Sequence, residues 1–70
     1  MVNKNMKKYS APSVKKAFEI LRALSSSKEG LGVSEIARGL NMAKSTVHGM
    51  TCTLEGLGAV TRDPNTKRYR

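Results

Sequence analysis

The sequence predicts a mainly α fold, three short helices followed by a small β-hairpin. Three observations predict it. Apolar residues keep helical spacing over three stretches, and the second and third of these are separated by the short break "LNMAK", Leu40 to Lys44. The tail "AVTRDPNTKRYR" then reads as two strands around a turn, with Pro64 presetting the first central position and Asn65 suiting the second. Seventy residues limit the chain to one domain. A chain of this size buries only roughly 60% of the surface it exposes unfolded, which argues against a large catalytic cavity.

The elements follow in order. A polar, basic arm covers residues 1–11, and the folded domain covers residues 12–70. The first helix runs from Pro12 to about Ser25, with Ser13 as its N-cap and Val14, Ala17, Phe18, Leu21 and Leu24 on one face. "SSSKEG" ends it at Gly30, and Leu31 to Val33 are extended. Ser34 caps the second helix, Glu35 suits the positive end of the helix dipole, and Ile36, Ala37 and Leu40 point inward. The third helix spans about Lys44 to Leu57 and stops at Gly58.

The break itself carries information. Two helices crossing at about 90 to 120° need a small residue where they touch, a turn residue that accepts left-handed geometry, and apolar residues that seat the second helix. Ala37 is the small residue, Asn41 the left-handed one, and Met42, Val47 and Met50 the apolar set. This is a helix-turn-helix pattern, and an ordinary helical hairpin is its alternative. Around the third helix, Val47, Met50, Thr51, Leu54 and Leu57 fall inward, while Ser45, His48, Gly49, Cys52 and Gly56 fall outward. Each interior glycine costs about 1 kcal/mol relative to alanine. Either the outward face approaches a groove floor closely, with Ser45, Thr46 and His48 donating or accepting hydrogen bonds, or it is a seam for a partner helix. For Gly56, near the helix end, simple tolerance suffices.

Charge adds a direction. Thirteen Lys and Arg against five Asp and Glu give a net +8. The excess lies at the ends: Lys4, Lys7, Lys8, Lys15 and Lys16 come without an acid, and Arg62, Lys67, Arg68 and Arg70 cluster around the expected hairpin. A polyanion is the natural partner, nucleic acid before an anionic membrane surface. Lys-rich solubilising tails are the plainer reading. One cysteine, Cys52, forms no internal disulfide and fits a reducing compartment, and no apolar run approaches the ~20 residues that span a bilayer, so a cytoplasmic protein is expected.

Over nearly the whole ordered chain, and most specifically in "GLGVSEIARGLNMAKSTVH", the sequence resembles the N-terminal winged helix-turn-helix domain of the IclR family of bacterial transcriptional regulators. The resemblance implies a recognition helix in the major groove of double-stranded DNA, a hairpin wing beside it, and a homodimer or tetramer in the intact protein. It implies base contacts from Lys44, Ser45, Thr46, His48 and Gly49, and backbone contacts from Ser34, Cys52, Arg62, Lys67, Arg68 and Arg70. It also implies a C-terminal domain, absent from this chain, that binds a small-molecule effector. The chain departs from the family at Gly49, where an arginine is frequent, at Thr51, where an aliphatic residue is usual, and at Ala59, where an aromatic is usual.

Catalysis finds no support in the sequence. His48 and Cys52 are four residues apart, but no third orienting group accompanies them and four metal ligands are not available. The glycines match no nucleotide or dinucleotide fingerprint, so no cofactor is expected. The expected function is sequence-specific duplex DNA binding by a transcriptional regulator. The alternative is a winged-helix module for protein interaction or assembly.

Overall fold

Pro12 opens the first helix, where its fixed φ is already helical and its missing N–H is no loss. The computed structural model describes residues 11–70, so the basic arm expected over residues 1–11 lies, apart from Ala11, outside the described residues. Helix α1 spans Pro12–Ser25 with Ala11 as its N-cap. Ser13 therefore sits in the first turn and caps nothing. At the other end the Ser25 and Ser26 hydroxyls donate to the Arg22 carbonyl at 2.8 and 3.2 Å, local bonds of the kind that compete with further helix.

The buried face of α1 is not the expected one. Ile20 is fully buried and Leu24 nearly so, whereas Val14 is 57% and Phe18 63% exposed. Two overlapping apolar stripes run along this helix, sharing Ala17, Leu21 and Leu24. Packing against α2 selects the stripe that contains Ile20.

Helix α2 spans Val33–Leu40, with Gly32 in extended geometry as N-cap. Ser34 is thus inside the first turn rather than the cap. The Gly32 N–H donates to Glu35 Oε1 at 2.9 Å, the half of a capping box that needs no side chain at the cap. Ile36 and Ala37 are buried and Leu40 packs at the edge of the core. Asn41 then takes φ 55° and ψ 51°, the left-handed geometry anticipated for it. Its N–H and that of Met42 both donate to the Ala37 carbonyl, the latter at 2.8 Å, which ends α2 and turns the chain within three residues.

Helix α3 spans Lys44–Gly56. Gly58, at φ 80°, and the Ala59 N–H, donating to the Leu54 carbonyl at 2.8 Å, close its end. Leu57 follows the last helical residue and is 77% exposed, so it does not belong to the core as expected. Thr51 is fully buried, and its hydroxyl donates to the Val47 carbonyl at 2.9 Å, so the polar atom in the core is satisfied.

Ile20, Leu24, Ile36, Ala37, Val47, Val60 and Tyr69 form one core. Full burial of Ile20, Ile36 or Val47 stabilises by about 1.5–3 kcal/mol each relative to exposure. Val60 and Tyr69 come from the C-terminal segment, which the sequence had offered as a basic hairpin. Among the described residues no regular strand forms; pairing is confined to isolated antiparallel bridges, Leu31 with Tyr69 and Arg62 with Tyr69. Leu31 and Tyr69 exchange both backbone hydrogen bonds, at 2.9 and 2.8 Å, and Thr61 and Arg70 do the same at 2.8 and 2.9 Å. The fold is mainly α, with a C-terminal segment that doubles back to seal it.

Candidate nucleic-acid interface

Helix α3 is seated by Val47 and Thr51 and leaves its opposite face open. Lys44, Ser45, His48, Gly49 and Cys52 are exposed, and Thr46 is half-buried. A Cβ built on Gly49 meets nothing within 4 Å, and the same holds for Gly56. Neither glycine is therefore needed for packing inside the chain. The start of α3 is also unshielded: Ala43 offers no side-chain cap, the first turn has no acid, and Lys44 places a cation there. A cation at the positive end of a helix is unfavourable by about 0.3–1 kcal/mol in isolation. Such an end is suited to an anion.

The expected site residues fall on two sides of α3. Ser45, Thr46 and Gly49 border a groove toward α1, together with Val14, Ala17 and Leu57. His48 and Cys52 border a second groove, which also gathers Ser34 from α2 and Arg62 and Lys67 from the C-terminal segment. Lys44 stands apart from both, beside Ser34, Arg38 and Asn41 in the angle between α2 and α3. Cys52 Sγ lies 3.8 Å from His48 Nε2 and 4.0 Å from Nδ1, one turn of helix apart. Glu35 and Glu55 line the second groove as well, a pair of acids absent from the residues expected at the site. Glu55, seven residues after His48, could have been found from helical spacing.

The C-terminal segment presents its cations unequally. Arg62, Lys67 and Arg70 are exposed, but Arg68 is half-buried. Its Nη1 donates to the Gly30 carbonyl at 3.2 Å and its Nη2 lies 3.9 Å from Glu35 Oε1. The turn between them is fixed by Asp63, whose Oδ1 accepts from the N–H groups of Asn65 at 2.8 Å and Thr66 at 3.3 Å. The Lys67 N–H donates to the Asp63 carbonyl at 2.7 Å, and Lys67 takes the left-handed conformation, at φ 62°. The backbone bonds from Asn65 and Thr66, aided by the Arg70 charge, hold the Asp63 carboxyl below its ordinary value of 3.8.

The second helix of this helix-turn-helix thus keeps its outer face open. Residues 13–64 match the IclR helix-turn-helix domain. This chain belongs to that family. It is 40% identical over 58 residues to the glycerol operon regulatory protein of Streptomyces coelicolor, a match covering 83% of this chain and 23% of that protein. It is 37% identical over 60 residues to the HTH-type transcriptional regulator KdgR of Dickeya chrysanthemi, covering 86% of this chain and 19% of the relative. With KdgR of Escherichia coli the identity is again 37% over 60 residues, or 22% of the relative. The chain thus spans about a fifth of the length of the curated relatives it matches. No solved structure gives a significant match. The family and these relatives are transcriptional regulators rather than enzymes, and the chain carries their DNA-binding domain. Among the described residues no group of three or more His, Cys, Asp or Glu could hold a metal ion, and no helix is long and apolar enough to cross a membrane.

Proposed function

We propose that the chain reads duplex DNA by sequence for a cytoplasmic bacterial transcriptional regulator, with α3 in the major groove and the C-terminal segment as a wing on the flanking backbone. The observation that carries the reading is the outer face of α3: exposed, lined by Ser45, His48, Gly49 and Cys52, and free of neighbours at Gly49. A small, hydrogen-bonding face admits close approach to base edges, and the uncapped, Lys44-bearing helix start favours phosphate. Lys44, Ser45, Thr46, His48 and Gly49 meet base edges. Ser34, Cys52, Arg62, Lys67 and Arg70 meet the sugar-phosphate backbone, which fixes register without reading sequence. One recognition helix covers one half-site, so the intact regulator binds as a homodimer or tetramer on a pseudo-palindrome. A further domain, of the length by which the relatives exceed this chain, takes a small-molecule effector and brings the recognition helices together.

The test is selection of bound duplexes from a random library, followed by titration of the selected site. In a folded Ser45→Ala, Thr46→Ala double variant, discrimination at one or two base positions should fall by about 1–3 kcal/mol each. Unchanged discrimination sinks the base-reading assignment. The apolar groove between α1 and α3 favours a second reading, a module that docks another protein. That reading expects duplexes selected from the random library to share no common sequence, because a chain of net +8 retains random duplex at low salt on charge alone.

A further inference from the structure

We propose that Arg68 is a positioning residue: it acts from within the fold as a clamp that fixes the basic C-terminal turn against the start of α2, and it does not contact phosphate. The proposal rests on the reading that this chain binds duplex DNA. Arg68 differs from the cations around it in environment, not in kind. Its guanidinium reaches back 38 residues along the chain to the Gly30 carbonyl, at 3.2 Å, and approaches Glu35 Oε1 at 3.9 Å. That same Oε1 accepts from the Gly32 N–H at 2.9 Å. One carboxylate oxygen therefore serves both the first turn of α2 and the C-terminal segment.

The backbone of Arg68 is engaged in the other direction. Its carbonyl accepts from the Asp63 N–H at 2.9 Å and its N–H donates to Thr66 Oγ1 at 3.3 Å. The residue thus ties the turn to α2 through its side chain and holds the turn closed through its main chain. Arg62 and Lys67, which face His48 and Cys52 across the second groove, sit on that turn. Arg68 and Glu35 side chains are 38% and 40% exposed, so screening leaves their attraction small as a contribution to stability. The geometry sets where two exposed cations stand relative to α3. A phosphate drawing Arg68 outward would cost the fold its bond to the Gly30 carbonyl and separate the guanidinium from the Glu35 carboxylate.

The experiment is fluorescence anisotropy of a labelled random-sequence duplex titrated with the chain at several salt concentrations, with folding of each variant checked by circular dichroism. Arg62→Ala and Lys67→Ala, as phosphate contacts, should each flatten the dependence of log affinity on log salt by about 0.9. Arg68→Ala should weaken binding at every salt concentration by about two- to fivefold, the scale of a lost exposed pair, without flattening that slope. Arg68→Lys should restore the affinity only in part, since an ammonium does not reproduce the two-pronged guanidinium, whereas a point charge serves a phosphate well.

Glu35→Gln separates the clamp from plain charge, because the substitution removes an acid and on electrostatics alone must tighten binding to a polyanion. The clamp expects it to weaken binding, with no further loss when Arg68→Ala is added. Without DNA, amide exchange at Asp63 and Lys67 should quicken in Arg68→Ala. A slope lowered by about 0.9 in Arg68→Ala, full rescue by Arg68→Lys, or tighter binding by Glu35→Gln overturns the clamp and makes Arg68 a phosphate contact. If the unmodified chain fails to bind random duplex at low salt, the DNA reading itself falls, and the exchange measurement still decides whether the clamp exists.

Discussion

The two flanks of α3 are openings of similar size, and only one of them is lined by charged side chains. Toward α1 lies a groove of about 590 Å³ walled by Val14, Ala17, Met50, Leu54 and Leu57. Toward the C-terminal segment lies one of about 500 Å³ walled by Glu35, His48, Glu55, Arg62 and Lys67. Size therefore says nothing about use here. The difference traces to how each wall is attached. Helix α1 packs on α2 and α2 on α3, so α1 stands off from α3 and leaves apolar side chains uncovered. The C-terminal segment reaches the other flank by inserting Val60 and Tyr69 into the core, which turns the alternate residues Thr61, Arg68 and Arg70 away from the apolar interior. One helix thus carries a greasy edge, which Ser45 and Gly49 border, and a charged edge, which His48 and Cys52 border.

The comparison breaks most severely at Gly30. A Cβ there lies 2.5 Å from the Tyr69 carbonyl oxygen, and φ is 79°. Gly30→Ala should therefore push the C-terminal segment off, costing about 3 kcal/mol of unfolding free energy in urea titration, with the charged flank lost and the apolar flank kept. A cost below about 0.5 kcal/mol, the range of an ordinary surface substitution, shows that the segment is not held there. The outer face gives a smaller effect of opposite sign. Gly49→Ala should raise stability by about 1 kcal/mol, since the new methyl meets nothing and helix propensity improves. The same variant should bind its selected duplex more weakly if the backbone at Gly49 approaches a base edge; unaltered affinity removes Gly49 from the reading face.

The smallest effect lies at the tip of the charged flank. The Asp63 carboxyl is held below 3.8 by the N–H groups of Asn65 and Thr66. A carboxyl depressed in the folded state contributes stability above its unfolded value and loses it as pH falls through the folded one. Amide exchange at Asn65 and Thr66, corrected for intrinsic rates, should therefore quicken as pH is lowered below 3.8, and an Asp63→Asn variant should show no such step. A step of equal size in that variant assigns the effect to another group.

Much of this was legible from residue order because the deciding chemistry is local. Asn41 after a small Ala37, and Gly58 after an apolar run, mark left-handed helix ends that depend on a few adjacent residues, and both are where the sequence puts them. The helix starts were read less well. Ser13 and Ser34 are good caps by type, but Pro12 at the first turn of α1 and the Glu35 bond back to Gly32 shift each start upstream. Burial was least legible of all. Val14 and Phe18 share helical spacing with Leu21 as well as Ile20 does with Leu24, and only the neighbour in space chooses between the two stripes. Tyr69 was hidden in "KRYR", where its basic neighbours advertise a surface, and its burial depends on a pairing with Leu31 that no local pattern announces. The reach of Arg68 to Gly30 and Glu35 was illegible for the same reason.

The pairing of Leu31 with Tyr69 also sets an order of assembly. The bends at Asn41 and Gly58 close over a few residues, but this contact waits for the chain between residues 31 and 69 to come together, and loop closure over such a distance carries an entropy cost before any contact repays it. Non-local pairings of this kind slow folding. The charged edge of α3 is therefore expected to take shape last, and pulsed amide exchange during refolding should show late protection at Leu31 and Tyr69. A fold with its apolar edge built and its charged edge missing is the expected transient form of the molecule, and leaving it requires the Leu31–Tyr69 pair to close as Val60 and Tyr69 enter the core.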